Sequence, residues 1–585
     1  MRFTTRFLLS LACSLVLQNQ LIELRGTCEA AEDPVIAVDP VSAVEPDSSL
    51  TQVRGIAEEI DRHIAAGHVV QGVTAGPLAD DLTILRRMTL DLAGRIPIAA
   101  EREWYLTLPE SERRIQLASR LVALPDFNYH QRNWLDEFLL PDQPYNDEFR
   151  NYLLAAVQEK RSWETIFRNV MGASSTSEPD KGAAVFLRSR VRQLDDLTND
   201  TAILFFGVNI SCAKCHDHPL VADWKQDHFY GMQAFFQRTY QTRKQSLLAE
   251  RPFGEVKFAT VSGESRQAPF MFLTGEVVPD RTPQVADEEK KQLEERVRKL
   301  ENEDVEAELY VPEFRPRDEL VEAALRDNKE RFFAKNIANR IWARLMGRGL
   351  VDPLDQMHSG NPASHPELLN SLADQLINNH YDVRLLIHGV VLSDTYSRSS
   401  EWSSESDPPA PATYAIAQTR ALTPRQLGAS LNVAVRSAAS WPKFEQTEEW
   451  AKQRLELENH ANGWVREFEQ PRENFQIAVD EALFFSNNPR IQDDLLRDSG
   501  DRLLGSLMQA TENQLVIEQL WLNVLCRNPT AEELAEATIW LEQRIVAAAG
   551  GGNTSEGAED AGKRQELRKQ LLWALLAGPE FRFNH

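Results

Sequence analysis

Apolar residues recur every three or four positions over most of the chain, which is the spacing of one face of an α-helix. The first stripe begins near Thr51, and the second is followed by Gly94 and Pro97, two residues that terminate helices. We therefore predict a helical protein from its first folded residues onward. The apolar positions of these two helices are Val53, Ile56, Ile60 and Ile64, and Leu82, Leu85, Met88 and Leu92.

The helical periodicity continues downstream and is interrupted once. Residues 255–278 contain the alternating runs VKFATV and FMFLTGEV with turn formers between them, which predict a small β-rich insert. A highly charged helix with a solvated face is predicted over residues 286–302. Further helices are predicted at 197–208, 224–236, 332–345, 367–378, 383–392 and 425–435. Aromatic residues at helical spacing are predicted to pack in the core: Phe127, Trp134, Phe138, Trp163 and Phe167.

These elements predict a mainly α, multi-helical two-domain protein with a small β-rich insert between the domains. A length of 585 residues supports this division, because a domain typically has roughly 150 residues. We predict an N-terminal domain at 51–250, the insert with its charged helix at 251–312, and a C-terminal domain at 313–585.

The first 30 residues have the pattern of a secretory signal peptide. Arg2 and Arg6 are basic, residues 7–17 are apolar, and Cys28-Glu29-Ala30 resembles a cleavage site. Residues 31–50 repeat acidic-Pro pairs and are predicted to be an extended linker. No later run reaches the roughly 18 apolar residues of a membrane span. We expect an exported protein, periplasmic or extracellular, without an integral membrane span after signal cleavage.

Composition places the chain among ordinary soluble globular proteins, with 42% hydrophobic and 26% charged residues. The formal net charge is −24, and removal of the predicted signal changes it to about −25. A surface this acidic repels phosphate backbones, so we expect no nucleic-acid partner.

The strongest chemical signal is Cys212-Ala213-Lys214-Cys215-His216, a C-x-x-C-H motif. Two thiols at this spacing can add to the two vinyl groups of one haem, and the adjacent histidine can ligate the iron. Haem c held by Cys212, Cys215 and His216 is therefore the first hypothesis. Pro219, three residues after His216, disfavours continuation of a helix from the motif.

Other occupants of the motif stay open. Three of the twelve histidines, His216, His218 and His228, fall within thirteen residues, and such clustering is typical of metal sites. Zinc or iron could bind Cys212 and Cys215 with one histidine and a distant fourth ligand. If haem is bound, the sixth ligand is predicted among His218, His228 and Met232. The third alternative is a disulfide or redox pair, because exported thiols tend to oxidise.

A second polar cluster lies at residues 352–367. One interpretation is a capping box, in which Ser364 and Glu367 begin a helix near Pro366. The other is that Asp355, His358 and His365 line a cleft.

Cys526 lies in an apolar run and is predicted to be a buried free thiol. No G-x-S-x-G elbow occurs, and no catalytic residue is assigned.

Several long motifs resemble, in order, a secreted planctomycete family that joins a cytochrome-like domain of unknown function to a second, planctomycete-specific domain. In the first half they are ILRRMTLDLAGRIP (84–97), HQRNWLDEF (130–138) and FFGVNISCAKCHDHPLVADWKQDHFYGMQAFF (205–236). In the second half they are FFAKNIANRIWARLMGRGLVDPLDQM (332–357), NPASHPELLNSLADQL (361–376), LTPRQL (422–427), FSNNPRIQ (485–492), RNPTAEEL (527–534) and LLWALLAGPEFRFNH (571–585).

The resemblance implies a cytochrome character and a place in the cell envelope. Many members carry an additional N-terminal haem-binding domain that this chain lacks, so multi-haem electron transfer is not expected. The expected function is electron transfer or an accessory oxidoreductase role. The alternatives are a non-haem zinc or iron protein, structural or hydrolytic, and a non-enzymatic interaction module with a Cys212–Cys215 disulfide. Expected partners are a redox protein or envelope polysaccharide-processing proteins.

Overall fold

In a computed structural model of the protein, the helices of the first half follow the apolar stripes of the sequence. The structure describes residues 48–141, 145–173, 180–217, 221–306, 308–403, 406–442, 447–465, 467–468, 470–471, 488–549 and 558–585. The predicted signal peptide lies outside the described residues, as does the predicted linker up to residue 47. The helices are α1 (Ser48–Gln71), α2 (Asp81–Ala93), α3 (Ala99–Thr107), α4 (Glu110–Ala123), α5 (Pro125–Leu139), α6 (Asp147–Gln158), α7 (Trp163–Gly172), α8 (Val185–Arg188), α9 (Leu194–Phe206) and α10 (Gln226–Ala234).

The ends of α2 illustrate why these boundaries form. Asp80 accepts hydrogen bonds from the amides of Leu82 and Thr83, which satisfies two donors that a first helical turn leaves unpaired. Gly94 closes the helix with a φ of 71°, a left-handed conformation that glycine adopts without strain. The predicted terminator is therefore confirmed.

Short antiparallel strand pairs follow α10. The predicted β-rich insert is confirmed by two pairs within 255–278, and another pair precedes it that the sequence pattern did not indicate. The pairs are β1 (Thr239–Gln241) with β2 (Leu248–Glu250), β3 (Lys257–Ala259) with β4 (Ser265–Gln267), and β5 (Phe270–Met271) with β6 (Val277–Val278). The charged helix α11 (Asp287–Asn302) follows, with few buried residues.

The second half is again helical. The helices are α12 (Pro316–Arg326), α13 (Phe332–Met346), α14 (Pro366–Asn378), α15 (Val383–Leu392), α16 (Pro424–Ala434), α17 (Thr447–Asn462), α18 (Leu503–Ser506), α19 (Asn513–Val524), α20 (Ala531–Ala549), α21 (Ala558–Ala577) and α22 (Pro579–Arg582). Strands β7 (Arg420–Ala421) and β8 (Phe583–Asn584) pair with each other. The mainly α prediction is confirmed. None of the described helices is both long and apolar enough to cross a membrane.

The hydrophobic core joins the two halves of the sequence. Helix α1 buries Val53, Ile56, Ile60 and Ile64 and packs on α15 and α14, which lie more than 300 positions away in the chain. One core cluster extends from Ile56 to Cys526, and a second contains most of the buried apolar residues after position 420. Residues Pro46–His585 pack as one unit, and the predicted boundaries near 250 and 313 stay a prediction.

Candidate functional site

The C-x-x-C-H motif lies in a short turn between α9 and α10. Gly207 ends α9 in a left-handed conformation with a φ of 70°. The chain then forms a single 3₁₀ turn, Ser211–Lys214. Ala213 of this turn is fully buried, and its amide donates to the carbonyl of Ile210. The buried alanine anchors the turn while the residues on either side of it face solvent.

Both thiols of the motif are exposed to solvent. Cys212 lies within the 3₁₀ turn and Cys215 follows it, and neither is in a disulfide. Exposed, unbonded sulfur atoms are open to addition, oxidation or metal binding. Cys526 differs from this pair because it is buried, and burial raises the pKa of its thiol to about 11. The prediction of a buried free thiol at Cys526 is confirmed.

His216 has one ring nitrogen engaged and the other available. Its Nδ1 lies 2.8 Å from the carbonyl oxygen of Asp217, and a carbonyl oxygen only accepts, so Nδ1 carries the proton. In the neutral ring the lone pair is then on Nε2. Metal-ligating histidines typically donate their second ring nitrogen in this way, which fixes the tautomer and orients the ring.

His228 has the opposite tautomer. The amide of Lys225 donates to its Nδ1 at 3.1 Å, so in the neutral ring the proton is on Nε2. Burial lowers the pKa of His228, and the ring packs edge to face against Trp224 at 5.9 Å between centroids. His228 is therefore prepared to donate a hydrogen bond from Nε2, whereas His216 is prepared to ligate.

The remaining predicted ligands differ in their placement. Met232 is fully buried on α10 within the main core cluster, away from solvent. His218 lies outside the described residues. Among the part of the chain that the structure describes, no three His, Cys, Asp or Glu side chains are arranged to hold a metal ion. Cys212, Cys215 and His216 are thus the exposed groups of the motif, and they are not arranged as a ready-made metal site.

Gln226 holds the motif in place and was missed by sequence reasoning. Its buried side-chain amide donates to the carbonyls of Cys215 at 3.1 Å and Lys214 at 3.4 Å. Its side-chain oxygen accepts from the amide of Val261, in the turn between β3 and β4, at 3.3 Å. Its backbone amide donates to Asp217 at 3.1 Å. One glutamine therefore links the motif, α10 and the β-rich insert.

Lys214 is held by two neighbouring elements. Its ammonium group pairs with Asp195 of α9 at 2.5 Å, and that carboxylate also accepts from Gln233 of α10 at 2.6 Å. The Tyr230 hydroxyl donates to the carbonyl of Lys214 at 3.1 Å. The middle of the motif is thus tied to α9 and α10, while the thiols on either side stay exposed.

The second polar cluster of the sequence divides into two places. Asp355 contacts the chain just before the motif, where it accepts from the side chain of Asn209 at 3.1 Å. His358 is near enough to Asp223 to help lower the pKa of that carboxyl. His365 is instead buried 5.6 Å from the ring of Tyr414. The three residues do not line one cleft.

The capping-box interpretation of this cluster is wrong in its details. Helix α14 does begin at Pro366, but its N-cap is His365, and no side chain caps the first turn. The Ser364 hydroxyl lies 3.2 Å from Nδ1 of His365 instead. The histidine ring therefore competes for the hydroxyl that a capping box requires.

The donor set fits the haem that the motif implies. Haem c needs two accessible thiols and a histidine with a free ring nitrogen, and Cys212, Cys215 and His216 meet these requirements. Two exposed charged residues, Lys214 and Asp217, lie within the motif and directly after it.

Family models match the two halves of the chain. Residues 59–241 match PSCyt2, described as a protein of unknown function (DUF1549), and residues 316–460 match PSD1, a protein of unknown function (DUF1553). No curated protein and no solved structure matches the chain. The two matches together cover more than half of the chain and occur in the order that the motifs predicted. The chain therefore belongs to the planctomycete family that pairs a cytochrome-like domain with a planctomycete-specific C-terminal domain.

Proposed function

We propose that this protein binds one haem c covalently through Cys212 and Cys215, with Nε2 of His216 as an axial ligand, and that it transfers electrons in the cell envelope. The observation that carries the proposal is the hydrogen bond from Nδ1 of His216 to the carbonyl of Asp217 at 2.8 Å. It leaves the lone pair on the nitrogen that an iron ligand needs.

The exposed thiols support the attachment chemistry. Each thiol adds its S–H bond across one vinyl group, so that sulfur bonds to one vinyl carbon, the hydrogen ends on the other, and no group leaves. Cys212 and Cys215 are exposed and unbonded, so both are accessible for this addition. The apolar run at 7–17 supports export to the compartment in which such proteins acquire haem.

The surroundings of the motif support an electron-transfer role. Bound haem supplies one-electron chemistry by alternating between ferric and ferrous iron. The Asp217 carbonyl holds His216 in its ligating tautomer, and Gln226 fixes the backbone between the second thiol and the histidine. The exposure of the turn leaves room for a redox partner protein to approach. Solvent exposure of the turn favours the more positively charged ferric form, so we expect a low reduction potential.

Expression in an exporting host that carries haem-maturation proteins tests the proposal. We expect a coloured protein whose reduced haemochrome spectrum shows one haem per chain that resists acid-acetone extraction. Cys215→Ser should remove one of the two thioether bonds and change the haemochrome band, and the double variant with Cys212→Ser should lose covalent pigment. Cys526→Ala is the matched control, because it removes the third described cysteine and should retain full attachment.

Each contrary result has its own meaning. A colourless wild-type protein with near-stoichiometric zinc or iron would replace the haem proposal with a non-haem metal site. A colourless, metal-free protein whose two motif thiols cannot be alkylated without a reductant would instead indicate a disulfide interaction module. Unchanged covalent pigment in the double cysteine variant would contradict the assigned attachment residues.

A further inference from the structure

We propose that residues 355–359, which belong to the part of the chain matched by the C-terminal family model, position the haem-attachment turn. Asp355 and Ser359 are the positioning residues, and they act through Asn209 and Asp223. The role in haem attachment rests on the proposed function, but the positioning of the turn is a property of the protein without haem and can be tested separately.

The first contact lies just before the motif. Val208 and Gln356 form an antiparallel bridge. The amide of Asn209 donates to the carbonyl of Asp355 at 2.8 Å, and the amide of Met357 donates to the carbonyl of Gly207 at 3.0 Å. The chain that leaves α9 is therefore paired, as in a short piece of sheet, with a segment about 150 positions later.

Asp355 also determines the orientation of a side chain that starts the turn. Its carboxylate accepts from Nδ2 of Asn209 at 3.1 Å, which directs Oδ1 of Asn209 the other way. That oxygen accepts from the amide of Ser211 at 3.2 Å and from its hydroxyl at 2.7 Å. Ser211 is the first residue of the 3₁₀ turn that carries Cys212. A continuous chain of contacts thus runs from Asp355 to the attachment turn.

The second contact lies just after the motif. Ser359 donates to the carboxylate of Asp223 twice, from its amide at 2.7 Å and from its hydroxyl at 2.8 Å. Burial would raise the pKa of Asp223, but these two hydrogen bonds and the nearby histidines outweigh it and lower that pKa. Asp223 precedes the buried Trp224 and the N-terminus of α10, whose Gln226 holds the carbonyls of the motif.

The 355–359 segment is itself held by the second half of the protein. Asn361 donates to the carbonyl of Gln356 at 3.0 Å. Asn339 of α13 exchanges two hydrogen bonds with Val351, at 2.8 and 3.0 Å. Asn336, also on α13, donates to the carbonyl of Leu204 on α9 at 2.7 Å. The same helix therefore supports both the end of α9 and the chain that leads into the 355–359 segment.

These contacts connect the order of the attachment turn to the second half of the chain. The reactive residues of the turn are exposed, so their order before haem binds depends on the flanks as well as on Gln226 and Tyr230, which donate to carbonyls of the motif. Both flanks, 207–209 and 223, are held by the same five-residue segment. A preordered turn presents both thiols and His216 together, which favours two attachments on one haem over a single attachment.

Hydrogen exchange on the protein without haem tests the positioning directly. In the variant with Asp355→Ala and Ser359→Ala, we expect the amides of Ser211 and Ala213 to exchange about tenfold faster, because turn-ordering hydrogen bonds are lost. Asp352→Asn is the matched control: it removes a carboxylate that lies three residues before the segment and pairs with Arg348 at 2.8 Å, and it should leave these amides unchanged. Ser359→Thr retains the hydroxyl and should restore slow exchange when compared with Ser359→Ala.

The haem-loaded protein provides a second measurement. We expect the double variant to contain more protein with a single thioether bond, and a shifted reduction potential, relative to wild type and Asp352→Asn. Unchanged exchange across residues 209–217 in a folded double variant would overturn the positioning role. If the double variant does not fold, Asp355→Ala and Ser359→Ala measured separately decide the same question. A colourless wild-type protein would contradict the proposed function, while the exchange result would still stand or fall independently.

Discussion

The two family-matched parts of the chain meet at a surface junction and at a buried one. At the surface, residues 355–359 hold the flanks of the attachment turn through exposed or partly exposed hydrogen bonds near the exposed thiols. In the interior, the carboxylate of Glu458 pairs with Arg132 at 2.7 Å and with Arg150 at 3.2 Å. Arg454 and Arg425 complete this Glu458 cluster at 3.2 and 3.7 Å.

The two junctions differ in the exposure of their polar groups: those of the interior junction are buried and paired, and those of the motif are open to solvent. The Glu458 side chain is only 4% exposed, and four guanidinium groups converge on it, so a change there leaves buried charge uncompensated. The motif keeps its thiols and one imidazole nitrogen open to solvent. The interior junction therefore stabilises the fold, and the surface junction orders reactive groups that contribute little to stability.

The largest effect is expected from Glu458→Ala. Removing the carboxylate leaves several buried arginines unpaired, which should lower the free energy of unfolding by about 3–5 kcal/mol. Urea unfolding followed by circular dichroism measures the change. Glu456→Ala, on the same helix but 59% exposed, is the matched control and should change stability by less than about 0.5 kcal/mol. Equal effects of the two substitutions would remove the distinction between the junctions.

Gln226→Glu should have the next largest effect and should act locally. The carboxylate would face the carbonyls of Lys214 and Cys215, where the amide now donates two hydrogen bonds. We expect a loss of about 1–3 kcal/mol, the typical penalty for a buried polar group without its partner. Hydrogen exchange should rise first over residues 211–217. Gln233→Ala on the same helix, which removes a donor to Asp195 without adding charge, is the control and should leave exchange of the Cys215 and His216 amides unchanged.

The exposed motif at the surface junction could be identified from the sequence, and the buried Glu458 cluster could not. Cys212, Cys215 and His216 are recognisable because their chemistry depends on local spacing. The Glu458 cluster joins α5, α6, α16 and α17, and nothing in the local composition of any one helix indicates the others. Helix boundaries such as Gly94 could be predicted because glycine and apolar spacing act locally. The Asp355–Asn209 contact could not be, because it spans 146 positions.

Acidification should weaken the interior junction, with a smaller effect on the free energy of unfolding than the substitutions above. Burial opposes ionisation of Glu458, but the surrounding arginines outweigh it and hold its pKa below the ordinary 4.5. Its contribution is therefore fully present above pH 4.5 and is lost as the pH falls through its lower folded-state pKa. Between pH 6 and pH 3, wild-type stability should fall more steeply than that of Glu458→Gln, by at most about 1.4 kcal/mol per pH unit. Parallel slopes in urea unfolding series would show that Glu458 does not titrate with folding.

The smallest effect on stability is expected at the residues with the largest effect on chemistry. Cys212→Ser and Cys215→Ser replace exposed sulfur atoms in a turn whose one buried side chain, Ala213, is unchanged. Surface substitutions of this kind typically change the free energy of unfolding by less than about 0.5 kcal/mol, so the haem-free variants should unfold like wild type. The same substitutions should abolish covalent pigment when combined. A stability loss above about 1 kcal/mol in the haem-free protein would show that the thiols are packing residues, and the assignment of the turn as an exposed reactive site would have to be abandoned.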